Sequence, residues 1–376
     1  MTSSVIVHEW LEPTGGAESV VEGFQRVAPD ADVMCLWNDA PERFPADRVR
    51  ESPLARTPLR RSKLASLPAQ LLTWRLAPGK YDVALVSSHL FAHHVRFPQS
   101  RGRTRKFVYV HTPARYIWTP EFDARGRGMA AALARPSLMR LDRLGARAPR
   151  EVAANSAFVA DRIRRAWGDD ARVIYPPVAV DRIATTDWTA RLDADEVDRL
   201  DRLPNEFVVS AGRLVGYKRF DAVIDFAEAA GVPAVIAGDG PAAPELRARA
   251  REAKVPVILL GRVSDALLFT LIDRALAFVF LGVEDFGITT VEAMARGIPV
   301  IARDLGGSAE IVADGTTGVL CDPRSVTELR AALDRATGCD ADTIRARASL
   351  FSAERFDDRI REWTGLSTPT TSATSS

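Results

Sequence analysis

The chain has 376 residues, 47% hydrophobic and 26% charged, with a formal net charge of +1, and because single cores stop growing near ~250–300 residues, two domains are expected. No apolar run approaches the ~18 residues needed to span a bilayer, and the opening MTSSVIVHEW lacks the basic start and long apolar core of a signal peptide, so the chain is expected to stay in the cytosol. Cys35, Cys321 and Cys339 are widely spaced with no CxxC pair, which excludes a disulfide framework and a cysteine zinc site.

Residues 5–8 form a short β run. The EWLEPTGGAESVVEGF that follows predicts a glycine turn at Gly15 and Gly16 opening an amphipathic helix, with Val20, Val21 and Phe24 inward. Such a turn admits a phosphate, but the spacing is not G-x-G-x-x-G and no acidic residue follows a second strand, which weighs against a nicotinamide site. Residues 33–36 are the next strand, and regularity then lapses from 39 to 80. There Arg56, Arg60, Arg61 and Lys63 interleave with Leu54, Leu59, Leu64, Leu67, Leu71, Leu72 and Trp74, while Pro53, Pro58 and Pro68 forbid one long helix. The stretch is either an interfacial segment, attracted by ~1 kcal/mol per basic residue to anionic lipid, or a solvated loop over a small core.

A strand at 83–87 ends in SSHLFAHH. His89 and His93 are four apart and would share a helix face, yet no acidic residue accompanies them as in H-E-x-x-H, so no metal is expected there. Arg96, Arg101, Arg103, Arg105 and Lys106 form a second basic cluster before the strand 107–110, which delivers His111 in HTPARYIW. Pro136 should kink a helix over 130–146, and after a strand at 151–155 Ser156 caps a helix with Val159, Ile163 and Trp167 on one face. Pro176 and Pro177 then stop a strand at 173–175, and the interdomain connection is expected between them and Pro204.

Residues 207–211 open the second half and lead into GRLVGYKRFDAVIDF, where Arg213 and Lys218 stand five apart across a glycine turn at a helix start. Strands at 234–237, 257–260, 277–281 and 300–302 continue a βα series typical of a doubly wound sheet. The stretch 277–307, AFVFLGVEDFGITTVEAMARGIPVIARDLGG, concentrates the chemistry. It places Glu284 on a loop and Glu292 on a helix over 289–296 that Gly297 and Pro299 stop. Beyond strand C-termini lies the ligand crevice of an open α/β sheet, and a helix start there aims free N–H groups at an anion, with Gly287 admitting close approach. By pattern alone the same stretch fits an ordinary strand-to-helix crossover. A last helix is expected at 353–363, and the Ser/Thr tail 367–376 is expected to be disordered.

Glu284-x7-Glu292, set in GVEDFGITTVEAMARGIPVIA, closely resembles the signature of family 4 of the retaining glycosyltransferases, and HTPARYIW resembles the corresponding segment of bacterial mannosyltransferases that build O-antigens and exopolysaccharides. The likeness covers about residues 5–363. It implies a GT-B fold, two Rossmann-like doubly wound domains facing a cleft: 1–182 for the acceptor and 183–350 for the nucleotide sugar, with a helix at 351–366 crossing back to the first domain. It implies further that Arg213 and Lys218 hold the donor diphosphate, that Gly15 and Gly16 face it, and that Glu284 grips sugar hydroxyls. Val263 and Ser264 would border the base, Asp285, Phe286, Gly287 and Ile288 would complete the donor loop, Glu292 would receive the ribose hydroxyls, and His111 would touch the sugar or acceptor. The favoured donor is GDP-mannose, transferred with retention to a lipid-linked or glycan acceptor of the cell envelope, the acceptor hydroxyl losing its proton to the departing phosphate. Relatives commonly carry proline where this chain has Leu281, which bears on loop stiffness more than chemistry.

Metal-dependent transferases of the other main fold need an Asp-x-Asp at a strand end. Asp30-Ala31-Asp32, Asp193-Ala194-Asp195 and Asp340-Ala341-Asp342 follow no apolar strand and read as turns and caps, so neither metal nor cofactor is expected. Up to Arg182 there are 28 Lys/Arg against 19 Asp/Glu, a balance of +9, and the remaining 22 against 30 give −8. That asymmetry points to an anionic partner for the first half, and without a nucleic-acid signature the inner face of the plasma membrane, met through Arg56 to Lys63, is favoured. A sugar-nucleotide epimerase or phosphorylase of the same architecture and a non-catalytic nucleotide-sugar-binding protein are the rivals; an epimerase alone would act without acceptor.

Overall fold

The computed structural model describes residues 3–63, 65–120, 128–148 and 150–366. The tail 367–376, expected to be disordered, and Leu64 lie outside them. The chain forms two compact units, one made of the chain up to Pro177 together with the helix that begins at Ala353, the other of Val178–Ser352.

Seven strands build the first unit: β1 (Ser4–His8), β2 (Asp32–Cys35), β3 (Val49–Glu51), β4 (Val83–Ser88), β5 (Arg105–Val110), β6 (Glu151–Ala154) and β7 (Arg172–Val173). They lie in the order β3-β2-β1-β4-β5-β6-β7 with every neighbouring pair parallel. A parallel sheet is covered on both faces, and the central strands show it: Val5, Val7 and Val86 pack with Trp37 and Trp74 on one side, Ile6, Leu85, Phe107 and Tyr109 with Val20, Val21 and Phe24 on the other. Val20, Val21 and Phe24 belong to the helix Gly16–Val27, whose inward face is the expected one. That second layer is completed from far along the chain. Phe356, Ile360 and Trp363 of the helix Ala353–Thr364 join the same cluster, and Arg26 reaches both carboxylate oxygens of Asp357 at 2.7 and 2.9 Å.

Two expectations for this unit change. The stretch 39–80 holds β3, two short 3-10 turns (Pro53–Arg56 and Pro58–Arg61) and the helix Leu67–Arg75, because each proline stands in the first turn of its element, where no N–H is needed, and so begins it. His89 and His93 share no helix face: β4 ends at Ser88 and only a 3-10 turn, Ala92–His94, follows. The helix Met129–Ala146 carries Pro136 within it, and Ser156 caps Ala157–Trp167 by accepting from the Val159 N–H at 3.0 Å.

The second unit has β8 (Val208–Ala211), β9 (Ala234–Ala237), β10 (Val257–Gly261), β11 (Phe278–Phe280), β12 (Val300–Arg303) and β13 (Gly318–Cys321), all parallel, in the order β10-β9-β8-β11-β12-β13. The unit begins at Val178, ahead of the expected boundary at 182/183, and the presumed connection is largely helical. Val180 and Ile183 of the helix Val180–Thr185 are buried and the Arg296 guanidinium bonds the Ile183 carbonyl at 2.6 Å, while Ala194–Asp201 starts with an Asp193/Glu196 capping box. Its end also moves, from 350 to Ser352, because the Val178 N–H bonds the Phe351 carbonyl at 3.0 Å. Asp340 likewise caps a helix, Ala341–Ala348. No helix among the described residues is long and apolar enough to cross a membrane.

Candidate active site

In the second unit β8 and β11 are neighbours, so the turns after their C-termini meet. Lys218 ends the 3-10 turn Gly216–Lys218 after β8, and Glu284 sits on the loop after β11; the ammonium and carboxylate stand 2.8 Å apart, both largely enclosed. Gly282 permits this approach, since a Cβ there would lie 2.5 Å from the Lys218 carbonyl oxygen. From the other side the Gly307 N–H bonds the Glu284 carbonyl at 2.8 Å, so the loop is gripped by the segments after β8 and β12 alike. Gly287 caps the helix Ile288–Ala295 with φ +107°, a conformation an L side chain rarely adopts, and its missing Cβ leaves room for the Ser308 hydroxyl.

Asp285 and Phe286 are buried, Phe286 lying edge-on to Phe351 at 5.7 Å, so these two build the loop's underside, while Ile288 and Glu284 are half-buried. Glu292 is four residues into the helix. Burial pushes its carboxyl up to about 7, Asp265 adds to the rise, and Arg182 and Lys218 oppose it. Ser264 caps Asp265–Arg274 through its hydroxyl, which accepts from the Leu267 N–H at 3.1 Å, with half-buried Val263 just before it. Arg213, two residues past β8, is exposed. The unit thus joins Lys218 to Glu284 and leaves Arg213 reaching into solvent.

Gly15, Gly16 and His111 belong to the first unit, also beyond strand C-termini. Gly15 is the N-cap of Gly16–Val27, and the Glu18 carboxylate folds back over it, its Oε2 2.1 Å from where a Gly15 Cβ would stand. Glu18 Oε1 accepts the Glu12 N–H at 3.0 Å and lies 3.9 Å from His8 Nε2. His8 Nδ1 is 3.2 Å from the Ser87 carbonyl and 3.0 Å from Ser87 Oγ, which in turn is 2.8 Å from His111 Nε2. Burial pulls His8 down, but Glu18 and Glu9 outweigh it and leave it raised; burial also opposes ionisation of Glu18, yet His8 holds that carboxyl at about 2. Burial pushes His111 down to about 3.

Two groups here have donor sets that suit a metal ion: His8, Glu9 and His89, and His93, His94 and Asp142. In the first, Glu9 Oε1 already accepts from Ser88 Oγ and the N–H groups of His89, Leu90 and Ala92 at 2.8–3.1 Å, and Oε2 lies 3.3 Å from His89 Nδ1. In the second, Asp142 Oδ2 accepts both the Trp118 and Trp167 indoles at 2.7 and 2.6 Å, with Oδ1 3.2 Å from His93 Nε2. One carboxylate oxygen of each group is thus engaged with the fold, while Glu9 Oε2, Asp142 Oδ1 and His94 Nε2 have no hydrogen-bond partner among the described residues. The acidic partner that the sequence search for His89 and His93 lacked comes from distant elements.

Sequence reasoning missed His8, Glu9, Glu18 and Ser87. For His8 and Ser87 the signal was a polar residue at the end of an apolar strand, which gains meaning only once the register sets them side by side; Glu9 follows β1 and Glu18 sits on the helix Gly16–Val27, with no local signal.

Residues 14–182 match Glycosyltransferase Family 4 and residues 195–348 match Glycosyl transferases group 1. Among solved structures, HepE of Anabaena in complex with UDP superposes with a TM-score of 0.71 at 19% identity, covering 96% of this chain and 99% of that one. Sucrose-phosphate synthase of Thermosynechococcus elongatus gives 0.70 at 17% identity, covering 96% and 98%. The fold is therefore that of the GT-B class. The two matched families together span most of the sequence, and the chain belongs to family 4 of the glycosyltransferases. Among curated relatives, the GDP-mannose-dependent alpha-(1-6)-phosphatidylinositol monomannoside mannosyltransferase of Mycobacterium tuberculosis is 33% identical over 189 residues, 46% of this chain and 48% of that protein. Glycogen synthase of the same organism is 37% identical over 106 residues, 27% and 26% respectively. The GDP-mannose:cellobiosyl-diphosphopolyprenol alpha-mannosyltransferase of Komagataeibacter xylinus is 29% identical over 177 residues, 43% and 44%. These alignments span a quarter to a half of the relatives' length.

Proposed function

We propose that this protein transfers a hexose, with mannose from GDP-mannose the favoured donor, to a lipid-linked or glycan acceptor of the cell envelope. The Lys218–Glu284 pair at adjoining strand ends carries the reading. A departing nucleoside diphosphate gathers negative charge as the sugar becomes cation-like, and preorganised positive groups there lower the barrier, each worth ~10²–10³ in rate. Lys218 fills that role, held by a carboxylate that also lies within reach of sugar hydroxyls, and exposed Arg213 is free to swing onto the diphosphate. Glu292 would take the ribose hydroxyls. The mannosyl choice is supported by HTPARYIW and by the names of two relatives that align over about half their length.

Work at the cytosolic face of the plasma membrane fits a first unit that exposes Leu59, Leu72 and Leu76 as well as Arg56 and Arg61 within one stretch of sequence. Arg60 and Lys63 contribute less to such a surface, because Arg60 pairs with Asp39, and Lys63 with Glu12 at 2.7 Å. The deciding experiment is a thermal-shift screen of nucleotide sugars followed by product analysis with lipid-linked acceptors in excess chelator. GDP-mannose should stabilise most, and transfer should persist without metal. Loss of transfer restored by magnesium or manganese, or sugar conversion without acceptor, would sink the reading.

A further inference from the structure

We infer that Glu18, His8 and Ser87 form a positioning relay that fixes the proton of His111 on Nδ1, making this histidine a hydrogen-bond donor toward sugar or acceptor rather than a base. The inference rests on the glycosyl-transfer reading above for its consequence, though not for its geometry. Parallel pairing of β1 with β4 places His8 directly beside Ser87, and the His111 N–H bonds the Ser88 carbonyl at 2.9 Å, so three strand ends present one row of polar groups.

The proton order follows from what each atom can do. A backbone carbonyl only accepts, so His8 Nδ1, 3.2 Å from the Ser87 carbonyl, carries hydrogen. The same N–H faces Ser87 Oγ at 3.0 Å, so that hydroxyl accepts from His8 and its single hydrogen is left for the remaining partner, His111 Nε2, at 2.8 Å. His8 and Ser87 are both sealed from solvent, which leaves no water to take over either bond. Nε2 of His111 is therefore an acceptor, and the neutral ring must hold its proton on Nδ1. Nδ1 has no hydrogen-bond partner among the described residues, and the ring is half-buried.

Glu18 anchors the far end of the relay. Lying 3.9 Å from His8 Nε2, beyond hydrogen-bond distance, its carboxylate favours a His8 that carries a proton on both nitrogens, and Glu18 itself lies over the Gly15 turn and accepts the Glu12 N–H. The turn and His111 are thus joined through three side chains, Glu18, His8 and Ser87. A His111 that presents N–H cannot take the acceptor's proton, which leaves that task to the departing phosphate.

The test uses full-length protein labelled with ¹⁵N-histidine, whose long-range nitrogen–proton correlations separate the two neutral tautomers; His111→Ala assigns the resonances. Wild type should show the Nδ1–H form at His111. Ser87→Ala should populate the other form and lower kcat by ~10-fold, the loss of one neutral hydrogen bond, with donor affinity by calorimetry unchanged. Glu18→Gln, at a less enclosed position, should move the tautomer in the same direction, and Ser87→Thr, which keeps the hydroxyl, should restore it. A wild-type spectrum with the proton on Nε2, or a tautomer indifferent to both Ser87→Ala and Glu18→Gln, would overturn the relay. Absence of any sugar transfer would instead remove the functional reading, and the spectra would still decide the relay.

Discussion

Lys218 Nζ and Glu284 Oε1 stand 2.8 Å apart, tying the turn after β8 to the loop after β11. The pair is largely enclosed, and its value lies in where it holds the ammonium. Lys218→Ala should lower turnover by ~10²-fold or more while shifting the melting temperature by less than ~3 °C. Near-normal turnover would take Lys218 out of the phosphate clamp.

Glu292 gives a prediction in pH. Its carboxyl is raised from the ordinary 4.5 to about 7, so below 4.5 both folded and unfolded chains hold the proton and nothing is lost. As pH climbs to 7 and beyond, the unfolded chain ionises first and stability falls. Glu292→Gln removes this penalty, so its melting temperature should exceed that of wild type by roughly 3 °C at pH 8 and match it at pH 4.5, while donor affinity drops. A difference independent of pH would show that the carboxyl titrates normally.

The membrane expectation can be checked with vesicles. Binding should rise with anionic lipid and fall with salt, because exposed charges are screened over ~10 Å at 0.1 M ionic strength. Of the basic stretch, Arg56→Gln with Arg61→Gln should weaken binding more than Arg60→Gln with Lys63→Gln, since the latter two already face Asp39 and Glu12. Binding by both double variants equal to that of the parent would make the stretch an ordinary solvated loop.

Phe356 tests the completion of the first unit. It is buried against Phe24 and Tyr109, with ring centroids 6.1 and 5.8 Å away. Phe356→Ala should destabilise by ~3–5 kcal/mol, read as an earlier denaturant transition for tryptophan fluorescence, most tryptophans being in that unit. An unchanged transition would mean that the helix Ala353–Thr364 is dispensable to that core.

The central strands were legible because parallel sheets bury both faces and leave apolar runs such as Val5–Ile6–Val7 and the one ending at Phe280. The edge strands β7 and β10 were legible too, whereas β3 and β13 were not read: β3 is three residues with Val49 alone apolar, and β13 is only the four residues Gly318–Cys321. The segment after Pro177 looked like a connection because its helices are short and carry few apolar residues, their burial being supplied by Arg296 and the helix it belongs beside. At the site, Glu284, Lys218 and Glu292 could be read from spacing within one stretch or two. His8 and Ser87 could not, because their meeting depends on register between β1 and β4, which no local pattern encodes, and Glu18 comes to His8 only when the helix Gly16–Val27 packs back on β1.

The chain leaves the first unit at Pro177 and re-enters it at Ala353, and the threshold is closed by Val178 pairing with Ser352. Topologically the second unit is a cassette threaded into the first. During synthesis the part of the first unit's core that Phe356 covers, at Phe24 and Tyr109, must wait through the making of the whole cassette before Phe356 emerges from the ribosome. The cassette, whose two ends already touch, meets no such delay. The second unit can therefore finish folding while the first is still open, and the period of greatest exposure to aggregation belongs to the first unit.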